Sequence, residues 1–83
     1  MSADPVSWMV IEDGWPVVGS DGKEIGPVTD VIADEEKDIF SGLMVRAHRF
    51  RAPRYVAAEH VRLIVEGRIE LDVTADELPE LQD

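Results

Sequence analysis

Val61-Arg62-Leu63-Ile64-Val65-Glu66-Gly67-Arg68-Ile69-Glu70-Leu71-Asp72-Val73 decides the fold. Val61, Leu63 and Val65 alternate with Arg62, Ile64 and Glu66. Beyond the glycine, Ile69, Leu71 and Val73 alternate with Glu70 and Asp72. A period of two sends successive side chains to opposite faces, which suits a strand and not a helix. Glu66-Gly67 between the runs reads as a two-residue hairpin turn, since glycine adopts the backbone angles such a turn needs.

The same alternation extends towards the N-terminus. Trp15-Pro16-Val17-Val18 is a short apolar run closed by Gly19, and Ser20-Asp21-Gly22 is a turn signal. Ile25 to Ala33 is rich in β-branched residues, but its phase conflicts: Val28 and Ile32 share a face with Asp30, while Val31 points the other way. A bulge near Asp30, or burial of both faces, resolves that conflict. In the next strand Leu43, Val45 and Ala47 alternate with Met44, Arg46 and His48. Arg54 to Ala57 forms another, with Pro53 at its start. Ala58-Glu59-His60 reads as one helical turn. In the tail, Thr74 and Glu77 form a capping-box pattern, and Pro79 limits that helix to about one turn.

These elements predict an all-β chain: a small closed or partly open antiparallel barrel of about six short strands, with a short C-terminal helical turn. The expected core is Val17, Ile25, Val28, Ile32, Leu43, Val45, Tyr55, Val61, Leu63, Val65, Ile69 and Leu71. The expected organisation is an arm over 1–9, a barrel over 10–73 and an acidic tail over 74–83. Eighty-three residues allow one domain, which buries only roughly 60–65% of its unfolded surface. Without cysteine there is no disulfide to add stability, so self-association is the remaining common source of buried surface.

Eighteen acidic residues against eight Lys and Arg give a net charge of −10. That balance disfavours nucleic acid as a partner. No apolar run reaches the roughly 20 residues of a membrane helix, so no membrane insertion is expected. Met1 to Pro5 lacks the basic and apolar regions of a signal peptide, and the expected location is the cytoplasm. The charge is unevenly spread. Ile39 to Ala58 contains no acidic residue and carries Arg46, Arg49, Arg51 and Arg54, a local +4 against −14 for the rest.

The run Asp21-Gly22-Lys23-Glu24-Ile25-Gly26-Pro27-Val28-Thr29-Asp30-Val31-Ile32 carries a family likeness, together with Gly14-Trp15-Pro16-Val17-Val18, Phe40-Ser41-Gly42-Leu43-Met44-Val45 and Arg54-Tyr55-Val56-Ala57-Ala58-Glu59-His60-Val61. In this order the chain resembles the PRC-barrel domain. That barrel is shared by the cytoplasmic part of the photosynthetic reaction-centre H subunit and by a domain of the ribosome maturation factor. Pro27 stands where the family usually carries a polar residue such as Lys. The resemblance implies a small β-barrel that docks onto other proteins.

Catalysis finds little to work with. There is no thiol, no serine stands in a G-x-S-x-G elbow, and His48 and His60 are the only candidate bases. The acidic residues Asp34, Glu35, Glu36 and Asp38 lack the spacing of a calcium loop and read as a solvated connection. No catalytic residue, metal ligand or cofactor site is therefore expected. The expected function is a non-enzymatic protein-binding or scaffolding module that forms a homodimer and engages a further, unidentified protein. The expected interface comprises Trp8, Met44, Arg46, Arg49, Phe50, Arg51 and Arg54, with Trp8 either folded back over the barrel or packed on a second copy. The alternative is a ribosome or RNA-processing accessory domain, by analogy with the maturation factor.

Overall fold

In the computed structural model, which describes residues 6–34, 36–46 and 53–78, six strands follow one another. They are β1 (Pro16–Val18), β2 (Glu24–Asp34), β3 (Ile39–Val45), β4 (Arg54–Ala57), β5 (Val61–Val65) and β6 (Arg68–Leu71). The spatial order is β4-β3-β2-β1-β6-β5, an unclosed six-stranded sheet with β4 and β5 at its ends. The chain is all-β and partly open, and its helical pieces among the described residues are short 3-10 turns. One pairing departs from the antiparallel expectation: β1 and β6 run parallel, with Val17 opposite Ile69 and Val18 opposite Glu70. Long-range closure of β6 onto β1 sets that direction, and hairpin patterning carries no signal for it.

β2 serves both halves of the sheet. Glu24 to Pro27 pairs with β1, and Val28 to Asp34 pairs with β3. The changeover falls where Pro27 faces Pro16, two residues without an N–H to donate. The Pro27 carbonyl instead accepts the Arg46 N–H at 3.0 Å, and Val28 N–H donates to the Trp15 carbonyl at 2.9 Å. Proline at position 27 thus keeps its acceptor in the sheet while offering no N–H donor.

The expected bulge is present. Val28 lies opposite Val45 and Asp30 opposite Met44, so two steps along β2 match one along β3. The phase reverses at this point. Val31, opposite Leu43, packs on the core, whereas Ile32 is 39% exposed and is not a core residue. The buried cluster is Val17, Ile25, Val28, Leu43, Val45, Val56, Ile69, Leu71 and Leu78. Val65 is also buried.

Three other expected core positions are only half-buried. In β4 the inward residue is Val56, opposite Leu43, which turns Tyr55 to the outer face beside Met44. In β5 the register shifts between Val61 and Leu63; Val61 packs at the core margin, and Leu63 lies on a surface cleft. Leu78 joins the core from beyond the last strand. The Thr74–Glu77 capping box forms as the spacing predicts and turns the chain back, with Leu78 N–H on the Ala75 carbonyl at 3.2 Å.

Gly42 is required by a close approach. A β-carbon there would lie 2.8 Å from the Tyr55 ring and against the Val56 carbonyl oxygen. The ring is held over the glycine because its hydroxyl donates to the Ser41 carbonyl at 2.8 Å. Gly42→Ala is expected to destabilise by about 1–3 kcal/mol, read from the urea midpoint. In the same assay Leu43→Ala, at a fully buried site, is expected to cost about 2–5 kcal/mol. Ile32→Ala, on the outward side of the bulge, should cost less than about 1 kcal/mol. A large loss at Ile32 would contradict the phase change.

Candidate docking surface

Of the residues expected to form one interface, Trp8, Met44, Arg46 and Arg54 are among the described residues. Arg49, Phe50 and Arg51 lie outside the described residues. Met44 is half-buried on the outer face of β3, opposite Tyr55, and Arg46 is exposed just beyond the end of that strand. Arg54 faces the other way. It lies opposite Val45, an inward residue, and its guanidinium donates to the Leu78 carbonyl at 3.2 Å. Arg46 and Arg54 therefore have different surroundings. Arg54 ties the C-terminal turn to β4, while Arg46 stays in water.

Trp8 belongs to a separate feature, an N-terminal arm laid against the barrel. Ser7 caps a 3-10 turn over Trp8–Val10, its hydroxyl accepting the Met9 N–H at 3.1 Å. Val10 and Ile11 close the turn through the Ser7 and Trp8 carbonyls, both at 3.1 Å. The turn presents Trp8 to Phe40, with ring centroids 5.8 Å apart and planes within 9°. Ahead of it, Val6 N–H donates to the Ile64 carbonyl at 2.8 Å. Ile64 is in β5, an end strand of the sheet, so the arm meets the sheet end through this backbone bond. Trp8 therefore folds back over the barrel within its own chain.

On the docked arm Met9 is 55% exposed and Val10 49%; at the start of β3, Ile39 is 50% exposed. Three open clefts each have an arm residue in their walls. One lies between Val6, Phe40, Ala58 and Val61; another lies between Trp8, Met9, Val31 and Ala33; the third lies between Val10, Trp15 and Glu66. The sequence reading passed over Phe40, Met9, Val10 and Ile39. The signal available was the apolar run Met9-Val10-Ile11 ahead of the first regular strand.

The polar outer surface of β5 and β6 carries an ordered ion cluster. Glu70 accepts from Arg62 at 2.9 Å and from Arg68 at 2.8 Å. The Arg62 hydrogen bond, aided by Arg68 and opposed by partial burial, holds the Glu70 carboxyl below its usual range. His60 Nδ1 lies 3.1 Å from an Asp72 carboxylate oxygen, and Asp72 N–H donates to the His60 carbonyl at 2.9 Å. That pair clips the start of β5 to the end of β6. In the acidic connection, Asp34 accepts the N–H groups of Glu36 and Lys37 at 3.1 and 3.3 Å, which shapes the turn.

The PRC-barrel domain family matches residues 13–78, most of the chain, and the protein belongs to that family. A search of curated proteins finds no match. The match starts at Asp13, so the arm that carries Trp8 precedes the family domain, while the turn that carries Leu78 lies within it. Among the described residues no helix is long and apolar enough to cross a membrane.

The Glu70 cluster yields a pH prediction. A lowered folded-state pKa adds stability above the ordinary Glu value of 4.5, and that stability is lost as pH falls through the folded value. Arg62→Gln should raise the Glu70 pKa towards the ordinary value, as read by carboxyl carbon NMR titration. No change on this substitution would show that the Arg62 contact does not form in solution.

Proposed function

We propose that this PRC-barrel protein is a non-enzymatic protein-binding module that works in the cytoplasm and associates with itself as a homodimer. The observation that carries the reading is the exposure of large apolar side chains, Met9 and Val10 on the arm and Ile39 at the start of β3, on a small, highly charged chain. Large apolar groups left in water beside open clefts mark interaction surfaces more often than sites of chemistry. The net charge of −10 argues against a phosphate backbone as the docking partner, and the RNA-processing reading rests on fold likeness alone.

Charge alone cannot hold two such copies together, because exposed ion pairs contribute only about 0–1 kcal/mol each. Apolar contact must supply the affinity, and added salt should strengthen the association by screening the net repulsion. Light scattering across a concentration series at two salt levels is expected to show mass rising from one chain to two, at lower concentration in the higher salt. A mass of one chain throughout would refute self-association.

A further inference from the structure

We infer that the cleft between the arm and the β5–β6 turn takes an arginine side chain from a basic segment of a protein partner. The inference rests on the protein-binding reading above and names the chemistry of that partner. Val6, Val10 and Trp15 supply the apolar wall of the cleft, and Glu12 and Glu66 supply its charge.

The backbone sets these groups in place before any partner arrives. Gly14, with a φ of 93°, turns the chain between Glu12 and Trp15, and its N–H is held by the Val28 carbonyl at 2.8 Å. Trp15 is anchored on both sides. Its N–H donates to the Glu12 carbonyl at 3.3 Å, and its carbonyl accepts the Val28 N–H at 2.9 Å. The Trp15 side chain is half-buried and packs against the core while it also lines the cleft. Val10 is held by its N–H on the Ser7 carbonyl at 3.1 Å. Glu66 belongs to the tight turn between β5 and β6, where Gly67 has a φ of 84°.

The charge of the cleft is one-sided. Among the described residues no Lys or Arg lines it, and the exposed side chains of Glu12 and Glu66 have no hydrogen bond or ion pair. Arg68, two residues beyond Glu66, is engaged by Glu70 at 2.8 Å. Asp13 adds another exposed carboxylate beside Glu12. An apolar and aromatic wall with two uncompensated negative charges is complementary to a side chain with an aliphatic stem and a positive head. An anionic ligand is repelled. A purely apolar one takes water from the carboxylates and returns no hydrogen bond. Arginine suits the site better than lysine, because a planar guanidinium stacks on an indole and still donates to carboxylates from its edge. The cleft has a volume of about 300 Å³ and is open to water. That lies at the lower limit of small-molecule pockets, roughly 300–1,000 Å³, and favours one side chain presented by a chain segment over an enclosed metabolite. The net charge of −10 adds long-range attraction for a basic segment.

The probe is the capped peptide Gly-Arg-Leu-Arg-Gly, titrated into the isotope-labelled full chain and followed by amide and indole NMR shifts. Saturable shifts are expected at the Trp15 indole, at Val10 and at the Glu66-Gly67 turn. Glu12→Gln combined with Glu66→Gln should weaken the affinity about fivefold to tenfold, the combined effect of two exposed charge pairs. Both substitutions fall on exposed side chains, and the spectrum of the variant reports that its fold is kept. Exchanging the arginines of the peptide for citrulline, which keeps their shape and removes their charge, should weaken binding by at least the same factor. Unchanged affinity in the double variant, or shifts confined to another face, overturns the cleft assignment and leaves the protein-binding reading standing. Equal affinity for the two peptides overturns the basic partner. Cleft resonances that move when the protein alone is diluted, and not when the peptide is added, place a second copy there and overturn the inference as well. A peptide that shifts no resonance also overturns it, while the self-association reading is judged separately by the light-scattering series.

Discussion

One extra residue in β2 sets the geometry of both half-sheets. Thr29 lies between Val28, opposite Val45, and Asp30, opposite Met44, and its hydroxyl donates to the Met44 carbonyl at 3.4 Å. Asp30 steadies the bulge by accepting the Val31 N–H at 2.9 Å. A bulge bends a strand and raises its twist. That bend lets one 11-residue strand pair with β1 through its first part and with β3 through the rest. The inward set follows from the same shift: Val28 before the bulge and Val31 after it face the core together, though they are three residues apart.

The barrel that results has two end strands to manage. Exposed sheet ends invite pairing with other chains. β4 is only four residues long, and Arg54 anchors it to the Leu78 carbonyl of the C-terminal turn. β5 receives the N-terminal arm through Ile64. The two ends are thus treated differently. One is tied down by a segment inside the family domain, which also places Leu78 in the core. The other is covered by a segment that precedes that domain and keeps apolar surface in water.

The electrostatics divide along similar lines. A net charge of −10 keeps copies apart at long range, and Arg62, Arg68 and Glu70 form a satisfied cluster on the outer surface of β5 and β6. Of the arginines that stand out in the sequence, Arg54 lies opposite the inward Val45, while Arg46 is exposed just beyond the end of β3. The region around the arm offers what the charged surface lacks, large apolar side chains left in water.

The sequence by itself determined the class of fold. Alternation in Val61 to Val73 and the Glu66-Gly67 turn are local properties, and β5 and β6 form where they indicate. The capping box at Thr74 and the family likeness of the Asp21 to Ile32 run were legible for the same reason: a few neighbouring residues carry them. A bulge near Asp30 was legible as a conflict of phase. Tertiary structure alone decided how that conflict resolved, with Ile32 outward and Val31 inward, because the phase depends on which β3 residue lies opposite. It alone chose Val56 over Tyr55 for the core, since Gly42 leaves the space on the outer face that the Tyr55 ring fills. The parallel pairing of β1 with β6, the burial of Leu78 and the stacking of Trp8 on Phe40 join residues far apart in the chain. No local pattern encodes such contacts; they exist only once the sheet has curved enough to bring those side chains together.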